Sequence, residues 1–120
     1  MNDYFGFGMM GNYEERLVSN SEIGNAIIDT CMVTDSFKPY ETAIKHPCYR
    51  EGEYVVVELY DTKEEASDGH KEWVDLFSKE TLPSQLIDVN ETQLQSVVEL
   101  FGHSFRGAFE YTPIKKDSKP

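Results

Sequence analysis

The sequence is poor in the features that usually identify a chemical activity. It has only two cysteines, Cys31 and Cys48, which are too few for a disulfide framework. The phosphate-binding pattern GxxxxGK[ST] does not occur, and neither does the hydrolase pattern GxSxG. A GxGxxG spacing occurs once, as GFGMMG over residues 6–11, but no predicted strand precedes it and no predicted helix follows it, as a dinucleotide-binding site would require. We therefore predict that the protein is not an enzyme and that it binds no cofactor and no metal.

Basic residues are also scarce, because 11 Lys and Arg stand against 22 Asp and Glu, a net charge of -11. The excess of acid lies in residues 1–102, whereas residues 103–120 carry a small excess of base. An acidic body repels nucleic acid and anionic membranes. We therefore predict no direct nucleic-acid binding and no membrane binding. The expected partner is an unknown protein with a basic surface, and a homodimer is left open.

Long hydrophobic runs are absent, and no stretch approaches the roughly 20 apolar residues of a membrane span. The first residues, MNDYFGFGMMGNYEER, lack the basic and continuous apolar parts of a secretory signal, so a cytoplasmic protein is expected. Hydrophobic residues make up 39% of the chain, which is enough for the core of one domain of this size. We predict a single domain over residues 13–112 and a solvated tail over residues 113–120.

Residues 1–12 are rich in glycine and aromatic side chains, which argues against a regular helix. The simpler interpretation is a flexible N-terminal arm. The alternative is an arm that docks on a partner or on a second subunit through its aromatic side chains.

Strand patterns dominate the first half of the chain. Runs rich in β-branched and aromatic residues, separated by turn residues, predict strands over residues 14–23, 26–34, 40–45 and 54–60. A further short strand is predicted near residues 108–112. Short connections between successive strands favour an antiparallel meander.

Helical patterns follow the strands. Residues 63–79 form an amphipathic repeat behind two candidate capping boxes, Asp61 with Glu64 and Thr62 with Glu65. A second helix is predicted over residues 91–101, with Asn90 as its N-cap. The predicted fold class is α+β: an antiparallel three- to four-stranded sheet with two helices packed on one face.

The two faces of the helix over residues 63–79 differ sharply in polarity. One face is assigned to the core and carries Ala66, Gly69, His70, Trp73, Val74 and Phe77. The opposite face carries a row of carboxylates, here called the acidic row: Asp61, Glu65, Asp68, Glu72 and Asp75. The acidic row is either a solvated outer face or a surface for a basic partner, including one that normally holds nucleic acid.

Histidine and cysteine offer the remaining chemistry. His46 and Cys48, with Cys31 and His70, could form a Cys2His2 zinc site, but their spacing matches no zinc finger, and a cysteine in a strand is usually a small buried hydrophobe. His70 is interpreted as a neutral core histidine bonded to sheet backbone or a tyrosine hydroxyl. The alternative is a general base, which would need a carboxylate such as Asp29 or Glu41 to orient it.

Several segments carry a resemblance to a known group of proteins: IIDTCMVTD, PYETAIKHP, YVVVELY and EEASDGHKEWV, together with the aromatic start YFGFG and the following YEER. They resemble a family of small uncharacterised proteins of tailed bacteriophages and prophages, over most of residues 4–77. The resemblance implies a phage source and the host cytoplasm, and it implies no enzymatic motif. On this basis we expect an interaction protein for host takeover, anti-defence or an accessory role. The alternatives are a minor virion or assembly component and a small His/Cys-dependent module.

Overall fold

Four strands rich in β-branched residues form one antiparallel sheet. The computed structural model describes residues 13–34, 36–89 and 107–114. The strands are β1 (Leu17–Ile23), β2 (Ala26–Met32), β3 (Tyr40–Lys45) and β4 (Tyr54–Tyr60), in the order β1-β2-β3-β4. Each strand pairs with the next along the chain, so the predicted antiparallel meander is confirmed, with four strands.

The predicted ends of the first two strands were wrong by a few residues. A single helical turn, α1 (Tyr13–Arg16), precedes β1, so the strand begins at Leu17 rather than at residue 14. β2 ends at Met32 because the N–H of Val33 donates to the carbonyl of Pro39 at 2.8 Å, which closes the turn into β3. The bounds of β3 and β4 match the prediction.

One long helix, α2 (Lys63–Phe77), packs on one face of this sheet, which confirms the α+β class. Its N-cap is Thr62, whose hydroxyl accepts from the N–H of Glu65 at 3.1 Å, while the Glu65 carboxylate accepts from the N–H of Asp61 at 3.2 Å. The helix ends at Phe77 rather than at residue 79. Ser78 is its C-cap, and the Ser78 hydroxyl donates to the carbonyl of Val74. The helix predicted over residues 91–101, with its cap Asn90, lies outside the described residues, as does the arm over residues 1–12.

The core lies between α2 and the sheet. Its buried members come from the inner face of the strands, from the β3–β4 connection and from α2 and β5: Ala26, Ile28, Ile44, Cys48, Tyr49, Val55, Val57, Phe77 and Leu86. Strand register decides which residues face α2, because Thr30 lies opposite Thr42 and Ile28 opposite Ile44 on this side. The alternate residues, among them Asp29 and Glu41, therefore face away from α2.

A separate two-stranded ribbon, β5 (Gln85–Ile87) paired with β6 (Ala108–Glu110), lies beside β4. β5 was not predicted from the sequence. The buried carboxylate of Asp88 holds the ribbon in place, because it accepts from the N–H of Val56 at 3.3 Å and pairs with Arg50 at 3.4 Å. The guanidinium of Arg50 also lies over the ring of Phe109 in β6, 4.8 Å from its centroid.

None of the helices in the part of the chain that the structure describes has the length and apolar content that a membrane span requires.

Candidate functional site

The acidic row lies on the solvent side of α2, opposite the sheet. Its five members, Asp61, Glu65, Asp68, Glu72 and Asp75, are all exposed. The four members inside α2 lie about one helical turn apart, so a negative charge recurs roughly every 5 Å along the axis, and Asp61 lies just before the N-cap. One ion pair involves the row, between Asp61 and Lys38 at 3.4 Å. The other four carboxylates have no ion pair within the described residues.

The members of the row beyond the first turn of α2 do not stabilise the helix that carries them. Like charges one turn apart repel each other by a few tenths of a kcal/mol per pair. The last turn of α2 contains no basic residue, and Asp75 lies there, where the helix dipole disfavours negative charge. Local stability therefore does not account for Asp68, Glu72 and Asp75, whereas Glu65 stabilises the first turn of α2 and completes the N-terminal cap.

An open groove runs beside the C-terminal half of α2, between the helix and β4. Its volume is about 490 Å³, and its floor includes the apolar side chains of Val57 and Leu76. The indole of Trp73 forms one wall. The polar residues at the groove are Glu58, Glu72, Asp75 and Lys79, so two members of the acidic row belong to it.

Trp73 is held at the edge of the core rather than inside it, which corrects the prediction of a core side chain. The ring is half-buried and packs against the core, and its N–H donates to Oε1 of Glu58 at 2.8 Å. Because Glu58 lies on β4 beside the groove, this bond keeps part of the indole in contact with solvent. Val74 is likewise half-buried, whereas Ala66, Gly69, His70 and Phe77 are buried as predicted.

Glu58 is the end of a chain of hydrogen bonds that crosses the core; we call it the buried relay. The Tyr60 hydroxyl donates to Oε1 of Glu58 at 3.0 Å and contacts the Thr42 hydroxyl at 2.9 Å. Thr42 contacts Thr30 at 2.5 Å, and Thr30 contacts Nδ1 of His70 at 2.7 Å. The other ring nitrogen of His70 lies 2.9 Å from the hydroxyl of Ser21 on β1.

The direction of every bond in the buried relay follows from its acidic end. A carboxylate only accepts, so Tyr60 donates to Glu58 and accepts from Thr42. Each hydroxyl has one proton, so Thr42 in turn accepts from Thr30, and Thr30 accepts from Nδ1–H of His70. A neutral His70 then accepts the proton of Ser21 at Nε2. Burial lowers the pKa of His70, which favours this neutral form.

Burial makes the pair of Ser21 and His70 an unfavourable general-base site. His70 is only 3% exposed, and a base must become an imidazolium when it takes a proton. Asp29 and Glu41, the candidates to orient it, face the other side of the sheet, so the hypothesis of a general base oriented by either of them was wrong. Asp29 instead accepts from the hydroxyl of Tyr13 and from Asn20. His70 is a buried histidine, as interpreted, but its partners are the hydroxyls of Ser21 and Thr30.

Gly69 makes room for the buried relay. A Cβ atom at this position would lie 2.4 Å from both Cε1 and the hydroxyl oxygen of Tyr60. The helix therefore needs glycine here so that the Tyr60 hydroxyl can reach Thr42 and Glu58. In the interior of a helix this glycine costs about 1 kcal/mol relative to alanine, which the closer packing offsets.

The four candidate zinc ligands, His46 and Cys48 with Cys31 and His70, are not brought together as one set. Cys31 lies on the face of β2 that points away from α2 and His70. Burial, with the charges of Asp29 and Glu41, raises the pKa of its thiol to about 11, so it stays protonated. His46 and Cys48 are joined locally, since Nδ1 of His46 accepts from the N–H of Cys48 at 3.0 Å. Among the described residues, no group of three or more His, Cys, Asp or Glu could hold a metal ion.

Comparison with known proteins adds no relative to this picture. No family model, no curated protein and no solved structure matches the chain.

Proposed function

We propose that this protein acts by binding another protein through the acidic row of α2, and that the partner presents a basic surface. The observation that carries the proposal is the outward row of carboxylates, four of which have no ion pair within the described residues. Such a row offers an excess of negative charge at regular spacing, which attracts and orients a basic surface.

The stability of α2 favours the same use of the acidic row. The acidic row keeps like charges one turn apart and an acid in the last turn of α2, both of which weaken the helix slightly. Lys71 lies about one turn from Asp68 and from Asp75, yet within the described residues it forms no ion pair with either carboxylate. Binding is a use for these charges that outweighs a cost of this size.

The resemblance to small proteins of tailed phages supports a place of action in the host cytoplasm. There the protein would bind a host or phage protein, in host takeover, anti-defence or an accessory role. A partner whose basic surface normally holds nucleic acid fits the regular spacing of negative charge along α2. Such binding requires no reaction and no cofactor.

The proposal is tested with two variants that lose the same charge in different places. The face variant replaces Glu65, Asp68, Glu72 and Asp75 with the corresponding amides. The control variant replaces four exposed acids outside α2 with glutamine: Glu14, Glu22, Glu51 and Glu53. The tagged proteins are expressed during infection and purified with whatever they bind.

The partner retained by the unmodified protein should be lost from the face variant and kept by the control variant. Its affinity for the unmodified protein should also fall as salt rises, because exposed charges are screened over about 8–10 Å at physiological ionic strength. Genome position provides an independent check on the role. A gene inside the cluster of structural genes would favour the virion or assembly alternative instead.

A further inference from the structure

We propose that the groove beside α2 binds the guanidinium of an arginine side chain on the protein partner. This inference rests on the proposed function and assigns the groove as the anchor point within it. The occupant would stack on the indole of Trp73 while its charge is balanced by Glu72 and Asp75 at the groove.

The aromatic wall is the first argument. Tryptophan is the aromatic side chain that best attracts a cation placed over its face. The ring of Trp73 has a fixed orientation, because its N–H donates to Glu58 at 2.8 Å. Glu58 in turn accepts from Tyr60, so the buried relay holds this carboxylate from the core side. A ring that is fixed before binding loses little conformational entropy when a ligand arrives.

The charge of the groove is the second argument. Three carboxylates, from Glu58, Glu72 and Asp75, face a single ammonium group, that of Lys79. Within the described residues, Glu72, Asp75 and Lys79 form no ion pair with any side chain. The groove therefore retains an excess of negative charge, and it has carboxylate oxygens free to accept from a ligand.

The choice of arginine follows from combining these features. A guanidinium is planar, stacks on an aromatic face and donates to a carboxylate with two parallel N–H groups, whereas an ammonium group is a compact, strongly hydrated charge. The apolar floor at Val57 and Leu76 suits the methylene groups of the same side chain. The volume of about 490 Å³ also accommodates neighbouring backbone of the partner.

The test uses the full chain and short blocked peptides, Gly-Gly-Arg-Gly-Gly and its lysine and citrulline counterparts. Trp73 is the only tryptophan, so a proton–nitrogen correlation NMR spectrum of the isotopically labelled protein contains a single indole N–H resonance. This resonance reports on the groove. The arginine peptide should shift it in a saturable way. The lysine peptide should bind several-fold more weakly, and the neutral citrulline peptide should leave the resonance in place.

Two double variants then separate the groove from the general field of the protein. Glu72→Gln with Asp75→Asn removes two carboxylates at the groove, and Glu64→Gln with Asp68→Asn removes two from the same helix outside it. The first pair should weaken arginine binding roughly 3–10-fold, the range expected for two exposed ion pairs. The second pair should change binding by less than about 2-fold. Lys79→Gln should strengthen binding, because it removes a like charge.

Equal binding of the lysine or citrulline peptide would overturn the assignment to arginine, and so would equal loss in both double variants. Such a failure is distinguishable from failure of the proposed function. If the partner still leaves the face variant and not the control variant, the acidic row remains the binding surface, and only the groove assignment is removed.

Discussion

Replacing Gly69 with alanine should destabilise the protein, although the same change stabilises most helices. A methyl group at Gly69 would lie 2.4 Å from Cε1 and from the hydroxyl oxygen of Tyr60, and 2.6 Å from Cζ. The Tyr60 ring is only 5% exposed, and its hydroxyl is bonded to Thr42 and Glu58, so it cannot move aside freely.

The expected magnitude is the sum of opposing effects. Overpacking of a close-packed core costs about 1–3 kcal/mol, and the loss of one of the two hydrogen bonds of a displaced Tyr60 costs about 1 kcal/mol. The better helix propensity of alanine returns about 1 kcal/mol. We therefore expect Gly69→Ala to lower the free energy of unfolding by about 1–3 kcal/mol, and the melting temperature by roughly 5–15 °C.

The assay is urea and thermal unfolding of the unmodified protein, of Gly69→Ala, of two Lys71 variants, and of Tyr60→Leu with and without Gly69→Ala. Lys71 is exposed in the same helix, and there Lys71→Ala should be more stable than Lys71→Gly by about 1 kcal/mol, the ordinary propensity difference. Tyr60→Leu removes the three atoms that the methyl group would meet, so Gly69→Ala should cost much less in that background. If Gly69→Ala were more stable than the unmodified protein, the close approach of α2 to Tyr60 would be wrong.

Three further predictions concern the rest of the described structure. Trp73→Ala should lower the free energy of unfolding by about 2–4 kcal/mol. This is at or below the usual range for a buried aromatic side chain, because the Trp73 ring is half-buried. A change within about 0.5 kcal/mol in urea unfolding would contradict the packing of Trp73 against the core. Burial lowers the pKa of His46 and His70 below that of unfolded histidine, about 6.5, so below this pH the unfolded chain takes up protons that the folded chain does not. The contribution of the two neutral histidines to the free energy of unfolding should thus be fully present above about pH 6.5. It should fall by up to ~1.4 kcal/mol per pH unit for each histidine as the pH drops below this value. Urea midpoints that stay constant down to about pH 5.5 would refute this. Glu51 has a φ of 55°, in the left-handed region that favours glycine, so Glu51→Gly should raise the free energy of unfolding by roughly 0.5–1 kcal/mol. Glu53 has an ordinary φ of -84°, so Glu53→Gly should lower the free energy of unfolding by a similar amount. Equal effects of the two changes would contradict the strained turn at Glu51.

Local patterns in the sequence were sufficient for the main elements. β3, β4 and the start of α2 could be predicted because alternation, helical periodicity and capping residues are all read over a few neighbouring positions. β5 could not, since three residues, Gln85–Ile87, are too short to show alternation, and this strand exists only through pairing with β6. The end of α2 depended on the backbone bonds at Ser78, which the sequence pattern does not distinguish from another turn of helix.

The four members of the acidic row that lie in α2 could be predicted, because helical spacing alone places them on one face, whereas Asp61 precedes the N-cap and is not positioned by the helix. The buried relay could not, since it depends on strand register, with Thr30 opposite Thr42 and Glu58 brought opposite Thr42 by a bulge in β4. One signal was present in the sequence: Gly69 lies on the apolar face of a helix, where its cost calls for a close neighbour. The groove was missed for the same reason, because Glu58 and Trp73 come from different elements.

The most direct test of the central claim is the amount of partner that co-purifies with the face variant and with the control variant. Both variants lose four negative charges from a net charge of -11, so bulk charge is the same in each. If the acidic row of α2 is the binding surface, the partner is lost from the face variant, which stays folded, and is retained by the control variant. Full retention by the folded face variant, or equal loss from both, would contradict the account.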